Sequence, residues 1–153
     1  MNTRVKVAAL VLSASTLVGL AINEGYRETA YIPVPGDVPT LGFGETSGVK
    51  MGDKTTPTRA LVQLLQSAEK HADGVRACIT VPMMQYEFEA AVSIAYNIGV
   101  GAFCGSTMVR KLNSGDYSGF CAGMLAWDKF RGKPLRGLTI RRQAEYKLCI
   151  GES

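Results

Sequence analysis

Glu24 is the carboxylate best placed for acid chemistry, because it stands one Asn beyond an uncharged, mostly apolar run from Val7 to Ile22. A carboxyl group that gives up a proton near neutral pH must first keep it, and burial against apolar groups raises its pKa enough for that. A Glu at a helix end beside a cleft meets the condition. The commoner fate of a Glu-Gly pair is a solvated helix carboxylate. What Glu24 does therefore depends on the residues that surround it, beginning with the apolar run.

Arg4 and Lys6 precede that run, and positive residues beside an apolar stretch stay on the cytoplasmic side of an exported segment. The stretch is shorter than the roughly 20 residues a straight helix needs to cross the hydrocarbon core. Ser13, Ser15, Thr16 and Gly19 dilute it further. The expectation is an uncleaved, marginal membrane segment over residues 1–22, followed by a domain over residues 23–153, with a helical pattern unbroken through Glu24. A cleaved signal peptide shares the basic start, the short apolar region and the small residues Ser13 and Ser15. A core helix of a cytosolic protein would leave the cysteines unexplained.

Cys78, Cys104, Cys121 and Cys149 all follow the apolar run. An even number of cysteines beside an export signal points to disulfides in an oxidising compartment. There is no CxxC, and the single His71 has no HExxH or Cys/His cluster around it, so a zinc site is not expected. His71 reads as a helix-surface residue. Four cysteines allow three pairings, which spacing alone does not separate. Cys78 with Cys104 and Cys121 with Cys149 is the expected set, since each bond would join the ends of neighbouring helices.

A chain of 153 residues suits one globular domain with room for a core. Its net charge of +4 favours an anionic partner such as an envelope polymer or a membrane surface. No basic stretch with interleaved stacking aromatics is present, so no nucleic acid is expected.

The elements that must position Glu24 follow from punctuation and period. The first helix should continue to about Glu28, after which Pro33, Pro35 and Pro39 exclude helix and Pro35-Gly36-Asp37 marks a turn between two short strands. The rest reads as helix. Thr56-Pro57 starts one, with Leu61, Leu64, Leu65, Ala68, Ala72 and Val75 at helical spacing. Another starts near Pro82, carries Phe88, Ala91, Val92, Ala95 and Tyr96 on its apolar face, and ends at Gly99 as the central core helix. Ser106 and Asp116 are N-caps of two shorter helices, and the loop Arg131 to Gly137 precedes a last helix ending at Gly151.

Glu24-Gly25, the segment Thr40-Leu41-Gly42-Phe43-Gly44, the stretch Tyr96-Asn97-Ile98-Gly99 with Gly101-Ala102-Phe103, and Gly137-Leu138 with Arg141-Arg142 resemble, in order and spacing, the phage-type lysozymes. The likeness runs from about Ile22 to Cys149. With the apolar start it extends to the signal-arrest-release endolysins, which wait tethered in the inner membrane before attacking the wall. The resemblance implies an α+β, mainly helical, two-lobed lysozyme-like fold with a small β-hairpin lobe and a helical lobe. It also implies hydrolysis of the β-1,4 bond between N-acetylmuramic acid and N-acetylglucosamine.

In that family the Glu closing the first helix is the general acid, and Glu24 matches it. Thr40 matches the family's Thr, whose hydroxyl can hold an attacking water; an ordinary strand Thr is the plainer reading. The family's second carboxylate, nine residues after the Glu and six before the Thr, falls here on Pro33 and Val34. Asp37 is the nearest substitute, with a turn-stabilising Asp as the alternative. Tyr96 and Asn97 match cleft positions that touch saccharide, against core packing and helix capping. Arg141 or Arg142 corresponds to the Arg that pairs with the catalytic Glu. Glu45 stands where relatives often carry His and reads as a surface or hairpin-bracing charge, and Trp127 reads as a core residue.

These roles imply an inverting hydrolase in which Glu24 protonates the leaving oxygen while Asp37 and Thr40 position water. No metal or organic cofactor is needed. The expected partners are peptidoglycan and, before release, the inner membrane, with the protein a monomer that ends in the periplasm. The rivals are a lytic transglycosylase acting on the same bond with one Glu, and a non-enzymatic membrane-anchored envelope protein. Because residues 1–77 lack cysteine, release cannot use a disulfide switch at Glu24 and must rest on the weak apolarity of the segment.

Overall fold

Ser13 starts the first helix by accepting the Thr16 N–H on its hydroxyl, and Gly25 stops it at φ 69°. In the computed structural model, which describes residues 3–152, that helix is α1, Ala14–Glu24. A residue with a Cβ rarely adopts such a φ, so Gly25 turns the chain directly after Glu24. Strand β1, Arg27–Tyr31, follows and pairs antiparallel with β2, Thr40–Gly42, in the register Arg27 to Gly42 and Tyr31 to Thr40, with an irregularity between. The backbone of β1 is also held from the other side. Ala30 donates to the Asp53 carbonyl, and Thr55 donates to the Glu28 carbonyl.

These elements form one of two compact units, residues Ser13–Lys70, together with the first part of helix α2, Pro57–Cys78. Gly42 lets the hairpin approach α2 closely. A Cβ at Gly42 would fall 2.9 Å from that of Ala60, and its φ of 62° already favours glycine.

The second unit joins the residues up to Leu12 with the chain from His71 onward. Its centre is α3, Gln85–Ile98, where Phe88, Ala91, Val92, Ile94 and Ala95 are wholly buried. Each large apolar side chain placed there contributes about 1.5–3 kcal/mol relative to exposure. Three shorter helices and one of equal length pack around it: α4, Val100–Cys104; α5, Thr107–Asn113; α6, Tyr117–Gly123; and α7, Arg136–Cys149. Phe103 and Phe120 meet edge to face with centroids 6.4 Å apart. The expected N-caps are in place, since Ser106 accepts from Val109 and Asp116 from Gly119. The bonds Cys78–Cys104 and Cys121–Cys149 are both formed, in the expected pairing. The two-residue strand β4, Lys133–Pro134, lies in the expected loop from Arg131 to Gly137 and pairs with β3, Lys129–Phe130, just before it.

The apolar run is not the unbroken helix that its pattern suggested. Val7–Ala9 form a single 3-10 turn, Leu10 is extended, and the α-helix begins only at Ala14. The physical reason lies in outside partners for this stretch. Val7 and Leu10 are buried in the helical unit's core, Arg76 donates to the Leu10 carbonyl at 2.8 Å, and Gln85 donates to that of Val11 at 2.6 Å. Carbonyls that a continuous helix would bond internally are thus bonded outward. Among the described residues no helix is long and apolar enough to cross a membrane. Nor does α1 reach Glu28, because Glu28 and Ala30 find their backbone partners in the Asp53–Thr55 segment instead.

Candidate active site

Within the hairpin unit, Glu24 is half-buried at the end of α1 and its side chain lies against the backbone of Gly44. A Cβ added to Gly44 would sit 3.2 Å from Glu24 Oε2, at a φ of 88° that L side chains rarely adopt. The two ends of the expected motif therefore meet. Gly44 is the position that lets the Thr40–Gly44 segment pass this close to the carboxylate, and sequence reading gave it no individual role. Next to it, the rings of Tyr26 and Phe43 stand 5.4 Å apart. The Tyr26 hydroxyl is buried without a hydrogen-bond partner, and burial, with a smaller push from Glu28, moves its pKa above the ordinary phenol value.

Thr40 is buried, and its hydroxyl donates to the Val38 carbonyl at 3.2 Å. With its hydrogen so directed, the oxygen keeps lone pairs that can accept from a water. Asp37 is exposed in the turn. Its Oδ1 accepts the Val38 N–H at 2.8 Å and its own N–H reaches the Val34 carbonyl, the contacts of a turn-stabilising Asp. Glu45 braces the hairpin as expected, accepting the N–H groups of Thr46 and Ser47 on one oxygen.

In the helical unit, Asn97 is exposed and its Oδ1 accepts from Arg142 Nη1 at 2.9 Å. Arg142 also donates to the Trp127 carbonyl and pairs with Glu145, Nε to Oε2 at 2.6 Å. Glu145 accepts the Ser93 hydroxyl at 2.7 Å. Arg142 is almost wholly buried, and desolvation lowers its pKa from the ordinary guanidinium value while Glu145 opposes that shift. Burial raises the Glu145 carboxyl above its usual range, with Arg142 pulling it back. Glu145 and Ser93 went unnoticed in the sequence. The three-residue spacing of Arg142 and Glu145 on one helix face was the available clue, whereas nothing marked Ser93. Tyr96 is half-buried with its ring centroid 4.7 Å from that of His71, so His71 is not the plain surface residue expected. Trp127 packs against the core, as expected. Among the described residues, no group of three His, Cys, Asp or Glu is placed to hold a metal ion.

The sequence model of the phage lysozyme family matches residues 21–145. An endolysin of Acyrthosiphon pisum secondary endosymbiont phage 1 is 39% identical over 90% of this chain and 96% of its own. The SAR-endolysin of Pseudomonas phage phiKMV is 36% identical over the whole of this chain and 95% of its own. Among solved structures, the endolysin from the Escherichia coli O157:H7 phage FAHEc1 superposes with a TM-score of 0.82 at 34% identity, covering 94% of this chain and 95% of that one. The matched span takes in Glu24, the Thr40–Gly44 segment that lies against it, and the buried Arg142–Glu145 pair, so the chain belongs to the phage lysozyme family.

Proposed function

We propose that this protein is an endolysin, a lysozyme that hydrolyses the β-1,4 bond between N-acetylmuramic acid and N-acetylglucosamine in peptidoglycan during host lysis. The observation that carries the reading is the contact of Glu24 with Gly44, in a chain that matches the phage lysozyme family from residue 21 to residue 145. Glu24 protonates the leaving glycosidic oxygen. Thr40 accepts from the attacking water, and Asp37 is the carboxylate that activates it on the opposite face of the sugar. Tyr96 and Asn97 contact the saccharide. Inversion requires carboxyl groups about 6.5–9.5 Å apart, room enough for that water.

The test is mass spectrometry of peptidoglycan digested by the wild type and by Glu24→Gln. Hydrolysis gives reducing muramic ends, with Glu24→Gln inactive. Anhydromuramic ends would instead make the protein a lytic transglycosylase, a reading favoured by the engagement of the Asp37 carboxylate in its own turn. Asp37→Asn separates the two: a hydrolase using Asp37 loses turnover, a one-carboxylate enzyme does not. Undiminished lysis by Glu24→Gln would point to a non-enzymatic envelope protein.

The protein begins tethered in the host inner membrane by residues 1–22 and acts in the periplasm after release as a monomer. The supporting observations are the basic residues Arg4 and Lys6 ahead of a weakly apolar run and the likeness to proteins named SAR-endolysin. Fractionation of induced cells before and after membrane depolarisation tests it, with movement from membrane to soluble fraction as the expected result.

A further inference from the structure

Strands β3 and β4 close on the two-residue turn Arg131–Gly132, with φ values of 51° and 80°. Left-handed values at both positions make a turn that suits Asn-Gly. Among the described residues Arg131 is the one non-glycine with a positive φ, so the turn itself gains nothing from an arginine and the duty of that side chain lies elsewhere. The base of the ribbon is fixed to the helical unit. Leu135 donates to the Asp128 carbonyl at 2.9 Å, and the Asp128 carboxylate accepts the Thr139 hydroxyl of α7 at 3.1 Å. Pro134 faces Lys129 between the hydrogen-bonded pairs, where its missing N–H costs no bond.

The side chains on this ribbon are cationic and apolar together. Phe130 stands opposite Lys133, and the Arg131 guanidinium lies 5.2 Å from the centre of the Phe130 ring, so two cations flank one ring. Leu135, two residues beyond Lys133, shares their side of the ribbon. Every residue from Lys129 to Gly137 is exposed, Phe130 at 58% and Leu135 at 49%. With Lys129 and Arg136 the segment carries four cations, and no acid occurs from Lys129 to Ala144. A soluble polyanion would use the cations and leave the ring and the leucine in water. An anionic lipid surface takes both, because its phosphates hold the cations while apolar side chains enter the boundary between headgroups and acyl chains.

We infer that the β3–β4 ribbon docks the folded protein on an anionic phospholipid bilayer, with Phe130 and Leu135 in the headgroup boundary and Arg131 and Lys133 on lipid phosphates. The contact is peripheral and separate in sequence from the apolar run. Salt dissolves a contact of this kind, since exposed charges are screened within about 10 Å at 0.1 M ionic strength.

Co-sedimentation of the purified full chain with vesicles tests it. Vesicles of equimolar phosphatidylglycerol and phosphatidylcholine should retain the protein, vesicles of phosphatidylcholine alone should not, and high salt should release it. Arg131→Gln with Lys133→Gln should weaken retention about thirtyfold, at about fivefold for each cation removed from the surface. Arg59→Gln with Lys70→Gln removes the same charge from exposed positions of the other unit and should weaken it by less than about threefold. Phe130→Ser with Leu135→Ser keeps every charge, yet should weaken retention about tenfold. All the substituted side chains are exposed, so the variants keep the fold. Equal losses from the two glutamine pairs would reduce the effect to net charge, and full retention of the serine pair would make the ribbon a plain anion site. Undiminished retention of Arg131→Gln with Lys133→Gln, or equal binding to phosphatidylcholine alone, would place the contact elsewhere on the chain. Each of these outcomes overturns the inference.

Discussion

Arg4 and Glu87 stand 83 positions apart and meet at 2.7 Å, the guanidinium taking both carboxylate oxygens. Glu87 is buried at the start of α3, where its Oε2 also accepts the Met84 N–H, and the Arg4 guanidinium lies 3.7 Å over the Tyr117 ring. A β-bridge between Val5 and Met83 holds the same stretch. Arg4 and Val5 are therefore part of the helical unit. Arg4→Met strands a buried carboxylate with one donor left and should cost about 2 kcal/mol. For a domain of this size that lowers Tm by roughly 4–8 °C. Arg4→Lys should not restore it, because an ammonium lacks the planar fork. Thermal melts of the three proteins decide, and full recovery by lysine would refute the bidentate account.

Gly44→Ala tests the contact at the proposed acid. The new methyl group arrives 3.2 Å from Glu24 Oε2 and at a φ of 88°. Gly52→Ala is the control, with a similar φ of 96° and open space around it. Both should lose about 1 kcal/mol of stability from backbone strain. Only Gly44→Ala should also lose at least tenfold in kcat, since the carboxyl must shift. Equal activity in the two variants would separate Gly44 from the chemistry.

Long periodic stretches were legible because their pattern and their burial have the same cause. The core face of α3 and the caps Ser106 and Asp116 follow from local rules that no distant residue overrode. The apolar run misled because Val7 and Leu10 are buried by residues far along the chain, and a helical period cannot say which partner takes a carbonyl. The end of α1 misled for a related reason. Gly25 was visible, but the partners of Glu28 and Ala30 at Asp53 and Thr55 were not. Of the candidate site, Glu24 and Thr40 were visible through motif spacing, while the Ser93–Glu145–Arg142 cluster joins two helices whose facing sides only the fold reveals.

The two disulfides should differ in how readily they open. Cys121 and Cys149 are 3% and 1% exposed, whereas Cys78 and Cys104 are half-buried. Access governs attack by a thiolate. Limited dithiothreitol followed by alkylation and mass spectrometry should therefore label Cys78 and Cys104 first. In the chain-entropy account, loops of 26 and 28 residues each contribute about 3.5 kcal/mol, so either Cys→Ala pair should lower Tm by roughly 10 °C. Labelling of Cys121 before Cys78 would contradict the burial argument.

Glu145 sets a pH dependence of known sign. Burial raises its pKa in the folded chain above the ordinary 4.5, so the folded state holds the proton more tightly than the unfolded state. Its contribution is then fully present below about pH 4.5 and is lost as pH rises through the raised value. Glu145→Gln cannot titrate and should flatten that part of the curve. Where Glu145 is ionised, above its raised pKa, the substitution should also lower stability by about 3 kcal/mol, because buried Arg142 loses its counter-charge; below it the two proteins should converge. Urea midpoints from pH 4 to 7 read both effects, and parallel curves for the two proteins would remove Glu145 as their source.

The small and polar residues of the apolar run have separable duties. Ser13 caps α1, while Ser15 is exposed and a Cβ at Gly19 would meet nothing within 4 Å. Raising the apolarity of the run therefore need not damage the folded protein, provided Ser13 is kept. Ser15→Leu with Gly19→Leu should strengthen membrane retention, holding the enzyme in the membrane fraction and delaying lysis, while the purified double variant keeps wild-type turnover on isolated walls. Ser13→Ala should do the reverse, costing about 1 kcal/mol of stability through the lost cap without slowing release. Cell fractionation beside wall-digestion assays separates these effects. Lysis on schedule by the double leucine variant would show that the weak apolarity of the run is not what times release.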